Sequence, residues 1–146
     1  MHKAKELKMK HAKVIKEWKA HGLKCFMVVN GLGTINGYVR IPKSHKLYGK
    51  DYSEVNWLDC HGGATYSAVG LGSLVKTEDW VFGFDCAHVY DGYNPEFAFE
   101  HLAEPGDTMD DVTRMPYGPE DIWRDEAYVQ DSTTGLAKQI KEYKDV

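Results

Sequence analysis

The nine residues WVFGFDCAH, from Trp80 to His88, constrain the fold of this chain more than any other stretch. Trp80, Phe82, Phe84 and Cys86 occupy alternate positions. Side chains of a strand point to opposite faces in turn, so this row faces a core while Val81, Gly83, Asp85 and Ala87 face away. Four further runs read as short strands: LKCFMVVN at 23–30, NGYVRIP at 36–42, NWLDC at 56–60 and GATYSAV at 63–69. NGLG between the first two suits a hairpin, and Pro42 ends the second because it cannot donate to a sheet ladder.

Helices are expected at the two ends. Leu7, His11, Val14, Ile15 and Trp18 recur at helical spacing with lysines between them, which predicts a helix over 3–19 within a basic N-terminal segment, 1–22. His21-Gly22 supplies its stop. Ile122, Val129, Leu136, Ile140 and Tyr143 mark a C-terminal helix. Between them, residues 88–119 hold four of the five prolines and many acids, and read as a long irregular loop able to act as a lid. The sum is a single α+β domain over 1–146, with about five mostly antiparallel strands and a helix at each end. At 146 residues and 42% hydrophobic content the chain can build one core without disulfide staples.

Composition narrows the setting. Three cysteines, with no C-x-x-C pair, argue against a disulfide framework and for a reducing, cytoplasmic compartment. No run approaches the roughly 18 apolar residues of a membrane span, and the lysine-rich start lacks the apolar region of a secretory signal. Charge is uneven: residues 1–24 carry a net +6, 25–77 a net +2 and 78–146 a net −12. A basic head attracts polyanions, but no base-reading motif accompanies it, so nucleic acid is disfavoured as a partner.

Two segments carry an acid, a thiol and an imidazole within four residues: Asp59-Cys60-His61, and Asp85-Cys86 with His88. Alternation turns both sulfurs toward the core and His61 and Asp85 toward the other face. That disfavours a cysteine-based zinc site, whose ligand pairs want two to four intervening residues, and a cysteine nucleophile, which needs an exposed thiolate. No metal or other cofactor is expected, and neither GLG at 31–33 nor GLG at 70–72 extends to a nucleotide fingerprint. His61 and Asp85 fit an acid–base pair, an aspartate fixing the tautomer of its neighbour. Gly62, Gly63, Thr65, Tyr66, Ser67 and His88 would line a polar pocket beside them. Arg40, Lys43, His45, Tyr48 and Lys50 add cations around aromatic rings, the chemistry that holds a phosphate-bearing base. The plainer alternative is that His61 ends a strand, Asp85 accepts backbone N–H groups in a turn, and the basic loop is solvated.

The motifs GYVRIPKSHKLYGKDY, HGGATYS and WVFGFDCAH, in this order, resemble a family of small uncharacterised proteins found largely in bacteriophages and bacterial genomes. Its members look like GYV-x-(V/I)-P, then H-x-LYGK-x-Y, HGG-(L/A)-T-(Y/F)-S and (W)WFGFDCAH, followed by a helix. The likeness runs from about Leu23 to Tyr143, and Val81 stands where relatives often carry a second tryptophan. A phage setting implies a small protein that counters host defence by sequestering or cutting a nucleotide signal, or by binding a host protein. Three functions follow as expectations: a module that binds a small anionic, nucleotide-derived ligand; a hydrolase using a His61/Asp85 pair on a nucleotide-like substrate; and a protein–protein interaction module without small-molecule chemistry.

Overall fold

The computed structural model describes residues 12–116 and 118–144. Five antiparallel strands, β1 (Lys13–Ala20), β2 (Leu23–Val29), β3 (Ile35–Ile41), β4 (Tyr66–Leu71) and β5 (Val75–Phe84), form one sheet in the order β1-β2-β3-β5-β4. Two helices follow, α1 (Pro95–Leu102) and α2 (Glu126–Glu142), so the fold is α+β as the sequence implies. Among the described residues no helix is long and apolar enough to cross a membrane.

Three local readings change. The helix expected over 3–19 is a strand from Lys13 onward, and the part of that reading over 3–11 lies outside the described residues. Ala20 pairs with Leu23 across His21 and Gly22, whose φ angles are +52° and +80°. A two-residue hairpin of this hand matches the twist of its strands, so the property that lets glycine end a helix here closes a hairpin instead. A register shift between Val14 and Lys16 explains the misleading periodicity. With one extra residue in the strand, Val14 packs on one apolar cluster while Ile15 and Trp18 pack on the other, reproducing the i, i+3, i+4 spacing of a helix.

Residues 56–60 are not a strand. Asp51 and Glu54 cap a short 3-10 turn, Tyr52–Val55, reciprocally. Beyond it, the side chain of Gln139 takes the role of a neighbouring strand. Its Oε1 accepts from Asp59 N and its Nε2 donates to Asp59 O, each at 2.7 Å. The stretch 88–119 is also less irregular than expected, because it contains α1. Asn94 accepts from Phe97 N and Pro95 fills the first turn, where its missing N–H costs nothing. Phe97, Ala98 and Leu102 of α1, and Val112 after it, enter the core.

The main core lies between the sheet and α2. Val129, Leu136, Ala137 and Ile140 meet Met27, Val29, Val39, Phe82 and Phe84. Trp80 is partly buried on this face as the alternation of WVFGFDCAH implies; the strand ends at Phe84, and Cys86 is buried on the same core from the bend that follows. The opposite face is apolar too. Phe26 stacks on Tyr38 with centroids 5.0 Å apart, Tyr66 meets Tyr38 edge-on at 5.7 Å, and Val81 is buried beside them. Leu136 has no exposure, so Leu136→Ala removes buried methyl groups and leaves a cavity. It should lower unfolding stability in urea by about 2–5 kcal/mol.

Candidate functional site

Helix α2 places the first half of the site. Tyr128, Ser132 and Gln139 fall within about 40° of one another around the helix axis at 3.6 residues per turn. Together they hold the chain at 59–61. Gln139 clamps Asp59, Ser132 Oγ accepts from His61 N at 3.0 Å, and the Tyr128 hydroxyl lies 2.7 Å from His61 Nδ1. The imidazole of His61 is thereby fixed at backbone and ring.

The end of β5 places the second half. Asp85 Oδ1 accepts from Ala87 N, and Asp91 Oδ2 accepts from His88 N at 3.0 Å, folding residues 85–91 on themselves. Tyr90 holds a left-handed φ of +72°, unusual for a residue with a side chain. An isolated parallel bridge between Asp91 and Ile122 brings Arg124 alongside. Arg124 Nε donates to Asp91 Oδ1 at 2.9 Å, and its guanidinium sits 5.1 Å from the centroid of the Tyr128 ring.

The two halves meet at Asp91. His61 Nε2 lies 2.8 Å from Asp91 Oδ2, and His88 Nδ1 lies 3.1 Å from the same oxygen. The imidazole centroids are 5.4 Å apart. On its far side, His88 Nε2 is 3.3 Å from Asp85 Oδ1, and Asp85 Oδ2 accepts from Thr65 Oγ1 at 3.2 Å. The Asp91 side chain is 1% exposed, His61 12% and His88 33%, so the cluster opens to solvent through His88. Burial pushes the Asp91 carboxyl upward in pKa. Hydrogen bonds from His61, the His88 backbone and Arg124 outweigh that and bring it down to about 2. Arg124 is shifted upward, chiefly by its bond to Asp91.

Gly62 controls the approach to His88. A Cβ built at Gly62 would stand 2.4 Å from His88 Cε1, and its φ of +69° already favours glycine. Gly63, Thr65, Tyr66 and Ser67 spread to different tasks. Gly63 N closes a turn onto Cys60 O, Thr65 supports Asp85, the Tyr66 hydroxyl donates to Gly70 O on the far sheet face, and Ser67 Oγ donates to Asp51.

The carboxylate on His61 is therefore Asp91 rather than Asp85. Residues 59–61 are not a strand paired to β5, so pleating does not set their orientation; α2 does. Asp85 does accept a backbone N–H in a turn, and it reaches the cluster only through His88. The basic residues lie elsewhere. Arg40 binds Asp79 and Thr77, Lys43 pairs with Glu78, and the Tyr48 hydroxyl donates to Glu78 O. His45 contacts Ile140 O near the C-terminal end of α2, and Lys50 O accepts from Trp80 Nε1. Arg40 also lines a groove of about 330 Å³ with Lys19, Lys24, Phe26 and Glu17. Lys19 and Lys24 stand directly opposite each other on β1 and β2.

The thiols take no part in this chemistry. Burial drives Cys60 and Cys86 up to about 12 and Cys25 to about 11, which leaves no thiolate near neutral pH. Two imidazole nitrogens and a carboxylate oxygen remain, from His61, His88 and Asp91, all within 4.8 Å of one another. Such a set can exchange protons with water or hold a cation. Asp91 has one trace in the sequence, the H-x-x-D spacing of AHVYD, whereas Arg124 and Tyr128 reach the site only through tertiary packing.

The Asp91 shift fixes a pH dependence. Its folded value, about 2, lies below the ordinary 3.8, so the stability it contributes is complete above the ordinary value and declines as pH falls toward about 2. Asp91→Asn should lower the thermal midpoint at pH 7 and flatten its decline between about pH 4 and 2. Parallel pH profiles for the variant and the parent would contradict this assignment.

Compared with known proteins, the chain matches no family model, no curated protein and no solved structure.

Proposed function

We propose that this chain is a hydrolase that activates water at the His61–His88–Asp91 cluster for attack on a nucleotide-like phosphoester. One observation carries the reading: two imidazoles converge on one buried carboxylate, and one of them is a third exposed. A carboxylate that fixes the orientation of an imidazole also supports its positive charge, which is what proton removal from water requires. The water oxygen forms the new bond to phosphorus, its proton passes to the cluster, and the alkoxide of the cleaved ester departs. Arg124 uses Nε on Asp91 and keeps its terminal N–H groups for a phosphoryl oxygen. The ring of Tyr128, a residue about two-fifths exposed, lies under the Arg124 guanidinium, with its hydroxyl on His61 Nδ1. Removal of a host nucleotide signal would suit the phage setting of the family that the motifs resemble.

Incubation with a panel of cyclic and linear nucleotides, followed by chromatography, tests this. The expected outcome is a cleaved product, with His88→Ala lowering kcat by about 10²–10⁴-fold. Recovery of every nucleotide unchanged would refute it.

A second reading, a binding module for a small anion, draws support from the groove of Lys19, Lys24 and Arg40 over Phe26. Two lysines directly opposite each other repel, and an anion between them relieves the repulsion. Under this reading Lys24→Glu abolishes the thermal shift given by a bound nucleotide, while His88→Ala leaves it intact.

A further inference from the structure

We infer that His61 Nε2, His88 Nδ1 and Asp91 Oδ2 together bind one divalent transition-metal ion. The ion rests on the hydrolase reading only for its role: with the imidazole lone pairs on the metal, polarising the water would fall to the ion instead of a ring, and the binding itself does not need that reading.

The three ligand atoms converge on one point. The three atoms come from two separate loops and lie within 4.8 Å of one another, with both nitrogens 2.8–3.1 Å from the oxygen. Ligands about 2.0–2.2 Å from a single ion stand on the order of 3 Å apart, so a small expansion admits the ion. An outer ring of partners surrounds them. Each ligand turns its other polar atom to a fixed group: His61 Nδ1 to the Tyr128 hydroxyl at 2.7 Å, His88 Nε2 to Asp85 at 3.3 Å, and Asp91 Oδ1 to Arg124 at 2.9 Å. Metal-bound histidines characteristically engage their second nitrogen in this way, which sets tautomer and ring direction.

The proton count agrees. Without an ion, both imidazoles direct an N–H at one carboxylate oxygen that already accepts from His88 N. With an ion, each neutral ring carries its proton on the outer nitrogen instead. There His88 Nε2–H donates to Asp85 and His61 Nδ1–H donates to the Tyr128 oxygen. No net proton is released from the neutral rings.

The donor set also selects the ion. Two imidazole nitrogens and one carboxylate suit zinc, iron or nickel better than magnesium or calcium, which prefer oxygen. Three protein ligands leave a coordination position for water, as in catalytic rather than structural sites. The cysteines that dominate a first reading of the sequence are not among the three ligands.

Titration of the chelator-treated full chain with zinc, followed by calorimetry, tests the inference, and cobalt gives a visible absorption band that reports ligand geometry. The expected result is one ion per chain, with affinity reduced at least 100-fold in both His61→Ala and His88→Ala and unchanged in Cys60→Ser. Tyr128→Phe keeps all three ligands and should weaken binding by about 10–100-fold. Circular dichroism of each variant separates a lost ligand from a lost fold. Because His88 is the most exposed ligand, its alanine variant keeps the test decisive if His61→Ala does not fold. No uptake by the folded parent, uptake insensitive to His88→Ala, or uptake lost in Cys60→Ser would overturn the inference. Turnover without metal uptake removes the ion and leaves the hydrolase; uptake without turnover removes the hydrolase and leaves the ion.

Discussion

The buried carboxylate of Asp91 ties together three irregular segments at one end of this fold. Asp91 lies almost wholly out of water, and an isolated carboxylate there costs several kcal/mol. It persists because three segments supply it with donors: His61 from the turn after residue 60, His88 from its own loop, and Arg124 from the approach to α2. Each of those segments is irregular. Their common dependence on one charge gives them a defined arrangement that backbone pairing alone would not provide.

Helix α2 is the second organising element, and it works on three sides. Val129, Leu136 and Ile140 enter the main core. Tyr128, Ser132 and Gln139 hold the turn that carries His61, and Gln130 and Thr134 accept from Lys16 and Trp18 of β1. A helix so engaged transmits its position to the imidazole directly. The same packing that stabilises the domain therefore sets the geometry of the cluster, and changes in core volume beneath α2 act on the site without touching it.

The charged surface is divided between two faces. Two of the cations that look like a phosphate cradle in the sequence engage acids of β5, Arg40 with Asp79 and Lys43 with Glu78. The histidine cluster sits apart from them, under α2 and the loop after β5. The basic residues and the histidine cluster thus occupy different regions, a separation invisible along a sequence that places Arg40 only some twenty residues before His61.

What the sequence determines by itself is what local alternation and turn chemistry can encode. The strands at 23–29 and 35–41, the part of β5 from Trp80 to Phe84, the burial of Cys86 and the C-terminal helix all follow from short-range patterns, while the first half of β5, from Val75, does not. The α+β class follows with them. Where two local codes overlap, the sequence misleads: a bulged strand imitates helical spacing at 14–18, and five apolar-rich residues at 56–60 imitate a strand. Tertiary structure alone decides which carboxylate meets His61. Side-chain direction can be read along one strand, but it carries no information once a helix 67 residues away fixes the turn through Tyr128. His88 and Asp91 are three residues apart, and their bond is local; Arg124 and Tyr128 join them only because burying α2 against the sheet brings distant polar groups to the buried charge of Asp91.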